Sequence, residues 1–527
     1  MRWGLSLIAL LVIPARAQDL VSTSGILDNS VTNLYFSAPT LWVGPYLNVT
    51  RDGGATWQAA QIDSLHGLTN SAYSLDIAQD VLWAGLGHQY SRIGAGGQRE
   101  TINEVRGLLH STNGGKTWRY VSHLPPNDAD PYTTGLLDHP DDTLVAYGNR
   151  MLRTLAITVS AQSPPWDIDY DEQSQTLWVA GQLSGIRKST DDGFSWQRVV
   201  LPPDTSRYLA PELNYSFPFM VQPVGIPQDQ FHGLNFQAFA VLADETGSVW
   251  AGTAGGLNRS EDQGERWHHY STVDGLSGDW VISIEEQPRP GQSPAIWATT
   301  WPGAGEGQHY GVAVTRDTGK TFVRALHGER CYDFAFDGPI VYVACDNALY
   351  QSWDNGETFI AIRDFRDAND PARTIRPGFR VFSVEAEANT VWVGTDDGLY
   401  RSMDRGHTWR VFRTLVPLSP EGLPSVIPAD RVPAVDTYTY PNPFSPVEDR
   451  LVRIRYALAS ASHVTIRVFD FGMNLVRTVF QGDQPGGDQE VSWDGADDLG
   501  VRLANGTYFY VVESGSGTFR GKILILE

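Results

Sequence analysis

Positive charge is scarce in this chain. Thirty-nine lysines and arginines face 61 aspartates and glutamates, for a formal net charge of −22. That balance argues against a nucleic-acid partner, because phosphates need neutralising by Lys and Arg. It fits an exported protein kept apart by its own repulsion. Long apolar runs are also missing. Leu5–Ile13 is too short to span a bilayer, and no other stretch approaches the required length. No transmembrane segment is expected in the mature chain. Helical periodicity is rare, which leaves strands to build the core. The twelve histidines show no paired metal spacing beyond His268-His269, adjacent residues that diverge on a strand. There are two cysteines, and no histidine stands near either in sequence to activate a thiol. No cofactor or metal is expected.

What the chain does contain is an octapeptide, Ser/Thr-x-Asp-x-Gly-x-Thr-Trp, seven times over. Its acidic positions are Asp52, Asn113, Asp191, Asp262, Asp317, Asp354 and Asp404. Asn113 stands in for Asp, and Arg266 replaces the small hydroxyl residue. Spacings of roughly 40 to 80 residues indicate a repeat architecture. Asp tolerates turn geometry and accepts backbone N–H bonds across the loop, while Gly supplies a positive φ. The closing Trp or Phe opens the next strand. Upstream of the octapeptides run apolar strands such as Leu41–Gly44, Leu82–Gly85, Leu177–Gly181, Val249–Gly252 and Val391–Gly394. Bounded apolar runs of this length read as buried strands. Four-stranded units repeated in this way are propeller blades. Residues 132–162 resemble a further unit without an octapeptide. The expectation is therefore a seven- or eight-bladed β-propeller, with eight favoured and seven plus a long insertion as the alternative.

The octapeptides resemble Asp-boxes, the BNR or sortilin-like hairpin motifs of sialidases, sortilin-type receptors, xyloglucanases and photosystem-assembly propellers. The resemblance implies an all-β propeller over residues 18–413. Residues 1–17 read as a signal peptide, with Arg2 before the apolar run and Ala15-Arg16-Ala17 as the cleavage site. The leader carries two arginines and no acid, so the mature chain stands near −24.

Residues 414–437 are proline-rich and read as a linker. Beyond it, Val452–Tyr456 and Val464–Asp470 alternate with period two. A small Ig-like β-sandwich is expected over 438–527. Tyr440–Phe444, Leu475–Val479, Trp493–Gly495, Gly506–Tyr510 and the Lys522–Leu526 end resemble the Ig-like domain of flagellar hook-capping (FlgD) proteins. They resemble still more the type A sorting domain of the type IX secretion system. That likeness implies export to the outer cell surface or medium, with the secretion machinery as a partner.

Cys331 and Cys345 each lie seven residues from Gly338, the centre of an expected hairpin. A cross-strand disulfide and two buried thiols are both compatible with that placement. Asp494, Asp497 and Asp498 form an acidic turn, read as turn chemistry rather than a Ca²⁺ site.

In a four-stranded blade the octapeptides mark one face of the disc. The longest insertions, 88–105, 201–233, 301–311 and 362–378, project from the other. Long loops on one face of a rigid scaffold are where binding resides. Tyr208, Tyr215, Phe217, Phe231, Trp301 and Tyr310 lie in these segments and are the candidate partner contacts. A glycoside hydrolase is the alternative. However, the Arg-Ile-Pro signature of propeller sialidases is absent, and the chain is too short for the two propellers of xyloglucanase-type enzymes. Glu285 and Glu286 are adjacent, so on a strand they point to opposite faces. The reading is a secreted or cell-surface, non-enzymatic propeller that binds a protein or glycan.

Overall fold

The computed structural model describes residues 20–60, 71–93, 97–122, 144–153, 163–213, 233–303, 305–414 and 435–527. Residues 1–17, the expected signal peptide, and most of the expected linker lie outside them. Seven four-stranded antiparallel sheets follow one another along the chain. Their innermost strands are Leu34–Ser37, Ser71–Ala78, Asp167–Asp171, Ala238–Ala243, Trp280–Gln287, Cys331–Asp337 and Val381–Glu387. These define blades 1 to 7. Blades 1 and 4 gain a fifth, outermost strand, Val21–Thr23 and Tyr208–Leu209.

The favoured count of eight is corrected to seven. Among the described residues, Leu144–Tyr147 and Arg150–Arg153 pair only with each other, as a two-stranded ribbon. The Tyr170 N–H of blade 3 donates directly to Asp76 of blade 2 at 2.6 Å, leaving no room for a blade between them. The ribbon has no octapeptide to clamp it into the ring. It docks by Tyr147, which is buried and donates to the Glu265 carbonyl at 2.8 Å. The ring closes where Val31 N–H meets the Thr395 carbonyl (2.8 Å) and Gly398 N–H meets that of Asn29 (2.7 Å).

The octapeptides hold the blades together. In each, one carboxylate or amide oxygen accepts the backbone N–H four residues on, at 2.9 Å from Thr56, Thr117 and Thr358. The glycines bring the turn against the preceding blade. A Cβ on Gly115 would come within 2.4 Å of Trp42, and one on Gly356 within 2.2 Å of Trp297. Trp42, Trp83, Trp178, Trp250, Trp297 and Trp392, from the second strands, are all fully buried between blades. Truncating such a side chain costs about 3–5 kcal/mol.

The C-terminal unit is a β-sandwich of three strands against four, beginning at Thr437. It sits on blade 7 through a dry charge cluster. Arg413 and Asp397 of the propeller meet Arg453 and Glu490 of the sandwich, all four side chains at most 6% exposed. Arg413 pairs with Asp397 at 3.2 Å and also with Glu490, while Arg453 pairs with Asp397. Tyr440 donates to Glu490 at 2.7 Å. Burial alone would raise the Glu490 pKa, yet Arg413 and Arg453 hold it at about 2. Ala372, from the 362–378 insertion, packs against the sandwich core. That insertion is therefore occupied by the chain's own C-terminal domain.

Candidate functional site at the channel mouth

The inner strands share one irregularity. In blades 2, 4, 5, 6 and 7 the register with the second strand slips by one residue near the start. A bulge leaves the extra residue unpaired and re-aims its side chain. The bulged residues are Tyr73, Phe239, Ile282, Tyr332 and Phe382. In blade 3 the same place falls to Trp166, just before Asp167 pairs with Ala180. All six are large, and all six are half-buried. They meet across blade boundaries: Tyr73 with Trp166 at 5.2 Å, and Tyr332 with Phe382 at 5.5 Å between ring centroids. Phe239 lies 5.8 Å from Trp280, the first residue of the blade 5 inner strand. The octapeptide turns bond to the far ends of the inner hairpins, as in Asn355 N–H to the Pro339 carbonyl (2.9 Å). The collar therefore rims the channel on the face opposite the octapeptides.

Two of the expected contacts join it. The Trp301 ring lies 6.0 Å from Tyr310 and 5.6 Å from Tyr332. Its indole N–H donates to the Cys331 carbonyl at 2.9 Å. The Arg330 guanidinium covers Trp301 at 4.0 Å and also reaches Tyr310 and Tyr332. Cys331 and Cys345 are disulfide-bonded in directly opposite positions, anchoring this side of the mouth. Tyr208 is elsewhere. It lies in the outermost strand of blade 4 beside His268 and does not reach the channel. Tyr215, Phe217 and Phe231 lie outside the described residues. The 88–105 insertion is not a loop at its base: Gly87–Ile93 pairs with Arg99–Val105 as an extension of the blade 2 hairpin.

Below the collar the inner strands carry acids. Opposite the second-strand aromatic in successive blades stand Tyr35, Asp76, Asp169, Leu242, Glu285, Ala335 and Glu385. Asp167 and Asp333 lie two residues closer to the collar in the same register. Most of these groups staple the next blade by accepting a backbone N–H. Asp167 takes Val241 (2.9 Å), Asp169 takes Ala243 (2.8 Å) and Asp333 takes Val384 (3.0 Å). Tyr35 does the same in reverse, donating to the Ile77 carbonyl at 2.7 Å. Among the described residues, Glu285 has no such donor.

Burial raises every one of these acids, and repulsion from the other channel acids adds to it at Asp167, Asp169, Glu285 and Glu385. Asp76 rises to about 6, Asp333 to about 7 and Asp167 to about 8. Asp169, Glu285 and Glu385 are likewise raised well above the usual carboxylate range. Glu285 senses Asp333, Asp167, Glu385 and Asp169, which come from blades on both sides of the ring. The inner strands that carry these acids contact one another from blade to blade around the whole ring, which gathers them about the channel. Each keeps some accessible surface. No lysine or arginine forms an ion pair with any of the six among the described residues, in contrast to Glu490 and Asp397. Glu286 points the other way, taking the Glu245 N–H at 2.9 Å. No group of three or more metal-ligating side chains gathers among the described residues.

A cleft of about 360 Å³ opens separately between blades 1 and 2, lined by Tyr35, Trp42, Arg51, Asp80 and Lys116. Arg51 is already engaged there with Gln58 and the Gly114 carbonyl.

Residues 447–518 match the FlgD Ig-like domain family. No curated protein matches the sequence. Among solved structures, the chain is similar to PorZ, a surface component of the type-IX secretion system of Porphyromonas gingivalis. Identity is 14% over 94% of this chain and 75% of that one, with a TM-score of 0.31. It is similar to YCF48 from Cyanidioschyzon merolae at 14% identity, covering 74% of this chain and 100% of that one, TM-score 0.40. It is also similar to the GH74 enzyme of Niastella koreensis at 13% identity, covering 94% and 90%, TM-score 0.24. At such scores these likenesses carry no weight on substrate or partner, and the seven-bladed fold rests on the chain's own sheet order. The C-terminal domain is FlgD Ig-like over the matched residues.

Proposed function

We propose that this chain is an exported, surface-exposed propeller that binds a protein or glycan partner at the collared channel mouth and catalyses no reaction. Its C-terminal domain serves as a type IX sorting domain. The observation that carries the binding reading is the bulge repeated in five blades, which with Trp166 of blade 3 places a large side chain at the same mouth position in six. Aromatic side chains held rigidly at a concave rim are common partner anchors.

Glycoside hydrolysis is the second reading, favoured by carboxyl groups held near neutrality at Asp76, Asp333 and Asp167. Against it, those three carboxylates are each tied to a backbone N–H of a neighbouring blade. Among the described residues, no arginine pairs with them to hold a substrate carboxylate.

The test is binding of the full-length protein to peptide and glycan arrays, beside Tyr332→Ala with Phe382→Ala and, on the octapeptide face, Phe194→Ala. Ligands lost only with the collar pair support the reading. Loss with Phe194→Ala, or no ligand on either array, overturns it. Release of aglycone from a panel of chromogenic glycosides would establish the hydrolase instead. Intact mass of the exported protein tests the sorting role: a product ending near residue 430 supports it, and a retained C-terminal domain argues against it.

A further inference from the structure

We infer that the collar docks a basic peptide segment, whose Lys or Arg side chain passes between the aromatic rings toward the channel carboxylates. This rests on the binding reading above and names the partner's chemistry. The argument is charge complementarity that the ligand itself completes: burial holds the unpaired channel acids largely protonated, and an entering cation would ionise them as Arg413 and Arg453 ionise Glu490. The aromatic rim offers ring faces, which attract ammonium and guanidinium groups. Asp167 and Asp333 stand one residue below the bulged position, and Asp76, Asp169, Glu285 and Glu385 three residues below. At about 3.3 Å per strand residue, that places the two tiers roughly 3 and 10 Å deeper, within reach of a long basic side chain from the rim.

The acids lack what the rest of the molecule supplies. Asp397 and Glu490, buried at the domain junction, each meet two arginines. The six channel carboxylates meet no lysine or arginine among the described residues. The protein already shows a guanidinium at this rim: Arg330 sits over the Trp301 ring at 4.0 Å, within 5.7 Å of Tyr310 and 5.6 Å of Tyr332. A neutral glycan would use the rings and leave the acids unmatched. An acidic peptide would meet repulsion from a chain of net charge −22.

The test uses the full-length protein and four fluorescein-labelled blocked pentapeptides, Gly-Phe-X-Phe-Gly, with X as Lys, Arg, Gln or Glu, read by fluorescence anisotropy. A neutral xyloglucan oligosaccharide is the competitor. The Lys and Arg peptides are expected to bind at least tenfold tighter than the Gln peptide and to weaken as salt rises from 50 to 300 mM. Glu285→Gln should cut Lys-peptide affinity severalfold and leave Gln-peptide affinity unchanged, since no described hydrogen bond depends on that carboxylate. Tyr332→Ala should weaken all of them. Equal affinity for Lys and Gln peptides, or displacement by the oligosaccharide alone, with Tyr332→Ala still weakening binding, overturns the basic-peptide inference and keeps the collar. Binding indifferent to Tyr332→Ala overturns both.

Discussion

Acidification from pH 8 to about pH 5 should stabilise this protein. In an unfolded chain an aspartate titrates near 3.9. In the folded channel burial lifts Asp76 to about 6, Asp333 to about 7 and Asp167 to about 8. Between those limits the folded state holds protons that the unfolded chain has released. Their stabilising contribution is complete below about pH 4 and is lost as pH rises through the folded values. Each extra proton is worth about 1.4 kcal/mol per pH unit, so two of them held near pH 6 give a slope of about 3 kcal/mol per unit. The octapeptides set the acid limit. Hydrogen bonds from Thr56 and Thr358 hold Asp52 and Asp354 at about 2, so their contribution is present above about pH 4 and fades only as pH falls toward that value. The maximum should lie near pH 4, where the two effects cross. Urea midpoints between pH 4.5 and 8.5, with a constant m-value, read the slope directly. Asp167→Asn should remove about one proton's share, about 1.4 kcal/mol per pH unit, whatever it does to absolute stability. A profile that is flat, or that falls on going from pH 8 to 5.5, refutes the reasoning. An unchanged slope in Asp167→Asn would assign the effect to the net charge of the whole chain, not to the channel.

Glu490→Gln should cost about 3–5 kcal/mol in urea unfolding, because it leaves two buried arginines, Arg413 and Arg453, sharing the single carboxylate of Asp397. Adding Arg413→Met should recover a large part of that loss, and no recovery would mean that the cost is steric. Replacing both Cys331 and Cys345 with serine opens a crosslink across a separation of 14 residues. It should cost about 3 kcal/mol, read from melts of oxidised wild type against the double variant. Asn113→Asp should be nearly neutral, within about 0.5 kcal/mol. Asn113 already accepts the Thr117 N–H at 2.9 Å and donates to its hydroxyl at 2.8 Å, and an aspartate needs only that hydroxyl to turn round.

The propeller was legible because each blade repeats two local signals, an apolar second strand and an octapeptide turn. The C-terminal sandwich was legible from period-two alternation. The blade count was misread because Leu144–Tyr147 carries the hydrophobicity of a second strand. Whether such a ribbon enters the ring depends on its neighbours, and Tyr170 bonding to Asp76 had already filled that place. Tyr208 was misplaced for a related reason. Its segment leaves a blade on the expected face, then runs back to pair with Trp267 and His268 at the outer edge.

The collar and the acids escaped notice because the inner strands are the least regular part of each blade. A bulge breaks period-two alternation, so Tyr73 and Asp76, or Phe382 and Glu385, fall out of phase with the faces a simple strand would present. The signal was present in another form. Aligning each inner strand on the Trp or Tyr of the strand that follows brings Tyr35, Asp76, Asp169, Leu242, Glu285, Ala335 and Glu385 into one column. Four acids in seven places, on strands whose other residues are mostly apolar, are not what a solvated face would show. They are costly to bury, and five of the six channel acids repay that cost by fixing the next blade's N–H groups. Among the described residues, Glu285 has no such structural duty. It is therefore the position at which a change in the channel's charge should be felt by a ligand before it is felt by the fold.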